Sequence, residues 1–304
     1  MARAPQPKVR SDLFDTSFLR RVEHLALLAR RISSSGQRAN RRTKQIGAGI
    51  EFADHRSYSE GDDPRHLDWN VFARSQKLLL RRYEEEQDLS VYLMVDCSPS
   101  MNMGPSGQRT PFERALQVAA ALGYVSLSNL DRVCLVPFTD GMARPTKTLR
   151  GRGQFASLLT QLSSLSLSGQ TQLPMAVRDL PRYRPRRGLV VLISDMCDLR
   201  GVGDALRYLS FHGHDTLVLQ LTDAQGFESN LWGDLTLVDV ETGQSRDVTL
   251  TPALLQAYRN EYDELTDQVQ AMCRQVGARH LLSELSTPFD QLVMRVFRVG
   301  GFLG

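Results

Sequence analysis

The apolar run Val91–Val95 stops abruptly on Asp96, and much of the chain repeats that rhythm. Unbroken apolar stretches of strand length belong to strands covered on both faces of a parallel sheet. Comparable stretches occupy Arg132–Phe138, Leu189–Asp195 and Thr216–Leu221, and Pro145–Leu149 reads as a short antiparallel edge. The segments between them carry helical spacing. Phe112, Leu116, Ala119 and Leu122 share one stripe of a helix that runs to Ser128. Further helices are predicted over Gly153–Leu165, from Pro174 onward and over Val202–Phe211. Strand and helix in alternation predict a doubly wound, mostly parallel α/β sheet with a Rossmann-like layout.

The alternation breaks twice. Asp234–Val240 and Ser245–Leu250, joined through Gly243, read as an inserted β-hairpin. A long helix follows Pro252, with Leu255, Tyr258, Tyr262, Leu265, Val269, Met272 and Val276 on a stripe expected to pack on the chain's own sheet. Gly277 ends it, and a strand over Arg279–Leu285 and a helix over Phe289–Phe297 close the chain. The other break is N-terminal. A helix over Asp12–Ser33, capped by Ser11 or Asp12, precedes a basic link with Arg38, Arg41, Arg42 and Lys44. A polar, irregular segment, Glu51–Asn70, then leads to a strand over Leu78–Tyr83. The expected partition is 1–88 for the basic N-terminal part and 89–304 for the α/β domain, with 225–276 as its insertion.

Composition changes this picture little, charge rather more. The 304 residues are 41% hydrophobic and 23% charged, enough for a large core. Met1–Arg82 holds 17 Lys/Arg against 9 Asp/Glu, a surplus of +8, which leaves about −5 of the +3 total for the remainder. No apolar run approaches the roughly 20 residues of a membrane span, and no signal peptide is read at the N-terminus. Four cysteines without a CxxC pair suggest free thiols and a cytoplasmic location.

Candidate chemistry gathers where the strands end. Asp96, Ser98 and Ser100 lie just past the first buried strand, where open α/β sheets place their ligand sites. Thr171 sits in a Gly-containing loop, and Asp195 ends a second buried strand on the same expected rim. Carboxylates and hydroxyls with no Cys–His pairing nearby are hard oxygen donors, suited to Mg²⁺, Mn²⁺ or Ca²⁺. Asp198, slightly further on, is a candidate for a supporting hydrogen bond.

Asp-x-Ser-x-Ser, a loop Thr and a strand-end Asp together resemble the metal-ion-dependent adhesion site of von Willebrand factor type A domains. A longer pattern extends the likeness: Gly49-x-Glu51-Phe52, Arg56-x-Tyr58-x-x-Gly61-Asp62-Asp63-Pro64-Arg65, Asp68-Trp69, Ala73-Arg74, Arg82-Tyr83 and Glu86. It resembles a bacterial family of unknown function that carries a type A-like domain and is found beside MoxR-type AAA+ ATPases. The resemblance implies that Ser98, Ser100 and Thr171 hold the cation directly, with Asp96 and Asp195 direct or through water. It implies a non-enzymatic, metal-dependent adaptor of the ATPase or its client, with Mg²⁺ the first choice of ion. An acidic side chain of the partner would complete the coordination.

Other classes fit the residues less well. A metal-assisted hydrolase or phosphatase using Asp96 and Asp195 lacks a second carboxylate at position 98, and Ser98 sits in no nucleophile elbow. Nucleic-acid binding through Arg38–Lys44 lacks interleaved aromatics. His55, His66, Asp62, Asp63 and Asp68 match no ligand spacing and read instead as a bracing network with Arg56, Arg65 and Arg74.

Overall fold

A computed structural model describes residues 13–35, 46–47, 51–59, 61–84, 89–102, 109–139, 145–169, 171–183, 186–222, 233–239 and 243–302. In chain order, helix α1 (Thr16–Ser35) is followed by β1 (Ile46–Gly47), β2 (Glu51–Ser57), α2 (Trp69–Ser75) and β3 (Leu79–Glu84). Then come β4 (Ser90–Asp96), α3 (Pro111–Ser128), β5 (Arg132–Phe138), β6 (Leu149–Arg150), α4 (Phe155–Ser163), α5 (Leu173–Tyr183), β7 (Leu189–Ser194), α6 (Leu199–Phe211) and β8 (Asp215–Thr222). The hairpin β9 (Gly233–Val238) and β10 (Ser245–Leu250), then α7 (Pro252–Gln275), β11 (Arg279–Glu284) and α8 (Phe289–Val299), complete the order.

Met1–Ile32 and Leu89–Leu303 form one unit, and Ser33–Asp88 forms another. In the first, six strands line up as β11-β8-β7-β4-β5-β6, all parallel except the β6 edge. All seven residues of β4 are buried, and the pleat sends them alternately to two cores. Val91, Leu93 and Val95 join α1, α3, α4 and α8 on one face. Tyr92 and Met94 join α5, α6 and α7 on the other. Each such side chain contributes about 1.5–3 kcal/mol on leaving water. This is the doubly wound, mostly parallel α/β architecture expected from the alternation.

Helix α3 starts on a capping box. Thr110 Oγ1 accepts the Glu113 N–H at 3.2 Å, while the Glu113 carboxylate accepts the Thr110 N–H at 3.4 Å. Gly188, just ahead of β7, lies so close to β4 that a Cβ would run into the Ser90 carbonyl. These two features fix where the central strands begin and where the first covering helix leaves the rim.

Several boundaries differ from expectation. Helix α1 is capped by Asp15, whose Oδ1 accepts the Phe18 N–H at 2.7 Å; the expected caps Ser11 and Asp12 lie outside the described residues. It also belongs with the sheet and not with the N-terminal segment. Phe18 is 1% exposed, and its ring centroid lies 5.3 Å from that of Phe289. Burying that stripe against α8 outweighs the charge asymmetry that suggested an 88/89 boundary for the helix. The expected edge strand Pro145–Leu149 shrinks to Leu149–Arg150.

The long helix α7 divides along its length. Val269 and Cys273 are buried in the second core, whereas Leu254 and Tyr258, at 39% and 42%, are exposed. Cys197 is exposed and the other three cysteines are buried; all four are free thiols.

The segment expected to be irregular contains β2 and α2, packed as a β1-β3-β2 sheet and a short helix in the smaller unit. Its polar residues do brace it. Arg65 pairs with Asp63 at 3.0 Å, and Arg56 pairs with Asp62. Asp68 accepts from Arg81 at 3.0 Å and lies 2.9 Å from His55, while also capping α2 through the Asn70 and Val71 N–H groups. Arg81, on β3, takes the place expected for Arg74. The basic link Arg38–Lys44 lies outside the described residues.

Candidate metal centre

Parallel register brings the two carboxylates together. Val95 pairs with Ile193, so β4 and β7 end level, on Asp96 and Ser194, with Asp195 the next residue. Asp96 is fully buried. Its Oδ1 accepts the Ser98 N–H at 2.9 Å, and its Oδ2 accepts the Ser194 hydroxyl at 2.7 Å. Past Asp96 the chain turns through a 3-10 helix, Pro99–Asn102, which brings the Ser98 and Ser100 hydroxyls within 2.8 Å of each other. Ser98 is fully buried and Ser100 half-buried.

Thr171 reaches the same rim on a loop fastened at both sides. The Ser168 N–H donates to the Cys97 carbonyl at 2.9 Å, and the Gln172 N–H to the Thr139 carbonyl at 3.0 Å. These bonds tie the loop to the carboxyl ends of β4 and β5. Thr171 itself is half-buried.

Ser194 is a contributor that the sequence pattern did not single out. Its hydroxyl donates to Asp96, lies 3.5 Å from Asp195 Oδ1, and accepts the Met196 N–H at 3.0 Å. Met196 adopts a left-handed φ of 62°, which turns the chain sharply and lets Asp195 Oδ1 accept the Cys197 N–H at 3.2 Å. The available signal was a hydroxyl at the end of the apolar run, directly before the aspartate. Behind the turn, Gln220 donates to the Asp195 carbonyl at 3.4 Å and is held by His280 at 3.0 Å. Tyr262 of α7 stands within reach of the Asp195 charge, and burial pushes its hydroxyl pKa up to about 12.

Asp198 has another task. It caps α6 by accepting the Gly201 N–H at 3.1 Å. Three of the six histidines have partners elsewhere: His55 with Asp68, His212 with the Tyr208 carbonyl at 2.9 Å and His280 with Gln220.

The electrostatics of Asp96 test whether this donor set suits a cation. Burial, then the neighbouring Asp195 charge, push its pKa up to about 6, against the opposing bonds from Ser194 and Ser98. Keeping it ionised at neutral pH therefore costs the fold about 3 kcal/mol, at 1.36 kcal/mol per pKa unit. A divalent cation held near Asp96 would supply the opposite charge that offsets that cost. Two carboxylates and nearby hydroxyls, all oxygen, fit a hard ion. Among the described residues no three His, Cys, Asp or Glu side chains gather as a metal cluster, so the set depends on its hydroxyls.

Residues 54–272 match the family described as "Protein of unknown function DUF58". The uncharacterized proteins Rv1480 of Mycobacterium tuberculosis (strain ATCC 25618 / H37Rv) and Mb1516 of Mycobacterium bovis are each 29% identical to the chain over 213 residues. Each match covers 68% of this chain and 66% of the relative, so the chain spans slightly less than two thirds of these relatives' length. Among solved structures, BatB from Bacteroides thetaiotaomicron is similar at 16% identity over 70% of this chain and 98% of its own, with a TM-score of 0.47. The SpRpn10 VWA domain is similar at 9% identity over 68% and 94%, with a TM-score of 0.38.

Proposed function

We propose that this chain, which belongs to the DUF58 family, is a non-enzymatic protein-binding module whose grip on its partner depends on a divalent cation, with Mg²⁺ preferred over Mn²⁺ and Ca²⁺. The observation that carries the reading is the joining of Asp96 to the Asp195 turn through Ser194, beside the Ser98–Ser100 hydroxyl pair. Ser98, Ser100 and Thr171 would hold the ion, and Asp96 and Asp195 would hold it directly or through water. Neutral hydroxyls leave a bound ion electron-poor, so it would supply an open position for a carboxylate from another protein.

This chain's own residues do the positioning. Ser194 keeps Asp96 aimed along the rim, the Met196 turn fixes Asp195, and the two tethers of the 168–172 loop hold Thr171. The engagement of His55, His212 and His280 elsewhere favours binding over hydrolysis. The resemblance to a family found beside MoxR-type AAA+ ATPases makes such an ATPase, or its client, the proposed partner. ATP hydrolysis in that partner would supply the energy, and the pair would act in assembly or maturation of protein complexes in the cytoplasm. No helix among the described residues is long and apolar enough to cross a membrane.

The test is co-purification of tagged chain with the MoxR-type ATPase from the same organism, in Mg²⁺ and in chelator. Capture in Mg²⁺, lost both in chelator and in Asp96→Ala, is the expected result. Equal capture in chelator would overturn the mechanism.

A further inference from the structure

We infer that a second, basic site on the rim of the same sheet, formed where α1, α3 and α8 meet, takes an acidic peptide segment of the partner protein. Arg20, Arg21, His24, Leu25 and Asp290 line a cleft of about 190 Å³ there. The Arg21 guanidinium lies over the Phe289 ring, 5.5 Å from its centroid. Arg109 and Arg114, at the start of α3, add their charges. Arg114 is lowered in pKa first by burial and then by Arg109 and Arg21, which places all three within reach of one another's fields.

Against Arg20 and Arg21 the lining sets one carboxylate, Asp290, and the Glu113 carboxylate on α3 is engaged by the Thr110 N–H. Asp15 feels Arg21 and Arg109, but its oxygens are taken by the Phe18 N–H and the Ser17 hydroxyl. None of the four arginines forms an ion pair within 4.0 Å among the described residues. Arg114 lies behind this group and not on the cleft's lining. Only 8% of it is exposed, one end donates to the Leu285 carbonyl at 3.0 Å, and its Nε has no hydrogen-bond partner. A buried guanidinium without a paired carboxylate adds positive field behind the cleft, which favours an anion in front of it.

Position supports a protein ligand. Leu285 hydrogen-bonds Thr222, the last residue of β8, so Arg114 stands at the carboxyl ends of the strands, as Asp96 and Asp195 do. Forked guanidinium groups pair naturally with carboxylates. None of the five lining residues is a Phe, Tyr or Trp on which bases could stack, which disfavours a single-stranded nucleic acid. The inference rests on the reading above that the partner offers acidic groups to this rim, and it adds that more than one is offered.

The experiment is fluorescence anisotropy of a labelled oligoglutamate with the full chain in EDTA, so that the outcome is independent of the metal centre. The expected result is saturable binding that weakens steeply with salt and is unchanged in Asp96→Ala. It should fall at least about tenfold in Arg20→Ser/Arg21→Ser/Arg109→Ser, the loss of one or more charge-assisted contacts. Exposed Arg109→Glu alone, with an unaltered circular dichroism spectrum, should show the same direction. Equal binding by these variants overturns the inference. So does binding of inorganic phosphate or an RNA oligomer where oligoglutamate does not bind.

Discussion

Asp68 and Asp96 are both largely withdrawn from solvent, yet their charges are treated in opposite ways. The Arg81 guanidinium, then His55, hold the Asp68 carboxyl well below the usual carboxylate range. Asp96 has hydroxyl and amide donors but a second carboxylate as its charged neighbour, and its pKa rises to about 6. A carboxylate compensated by its own chain is a brace. A buried one left facing another carboxylate lowers the stability of the fold, and a ligand can reverse that. The smaller unit therefore reads as scaffold around α2, whereas the rim of the larger one carries the charge imbalance on which the proposed cation site rests.

The sharpest way to break this contrast is to remove the charge at each position. Asp96→Asn should stabilise the chelator-treated protein at neutral pH by about 3 kcal/mol, since no buried charge then has to form. The sign follows from the raised folded pKa: wild type is unpenalised below the unfolded value of 3.8 and loses stability as pH rises through about 6. Urea unfolding from pH 4 to 8 should show the two curves diverging over that interval, and saturating Mg²⁺ should bring them together.

Asp68→Ala should act the other way. A depressed carboxylate contributes stability above its unfolded pKa, so at neutral pH the variant should lose the α2 cap and both partners of the pair. Hydrogen exchange of the 69–75 amides should accelerate markedly, with the β4 amides unaffected. Metal binding should be unaltered.

Ser194→Ala tests the link inside the rim. It leaves both carboxylates in place but frees Asp96 from its 2.7 Å tether. Affinity for Mg²⁺ should fall about 10- to 100-fold, the usual effect of removing a group that orients a ligand. The smallest effect is expected at Gln76, the exposed residue after α2 with a φ of 52°. Gln76→Gly should stabilise the smaller unit by about 0.5–1 kcal/mol, measurable by chemical denaturation.

The sheet was legible because burial on both faces leaves no room for polar residues between Val91 and Val95 or between Leu189 and Ile193. The ends of those strands were legible for the same reason, since Asp96 and Asp195 interrupt the runs. What crosses between segments was less so. Ser194 looks like the last residue of a strand until the register sets it against Asp96. The assignment of α1 to the sheet depends on Phe18 meeting Phe289, a contact between opposite ends of the chain. Strand β2 and helix α2 were hidden in Glu51–Asn70 and the residues after it. Their order comes from ion pairs and a helix cap, which leave no apolar period in the sequence.

Calorimetry of Mg²⁺ and Mn²⁺ binding, with acetate standing in for the partner's carboxylate, tests the central claim most directly when wild type is run beside Asp96→Ala. Saturable binding to one site in wild type, absent from the variant, is the predicted result. No binding to wild type, or equal binding to both proteins, would contradict it.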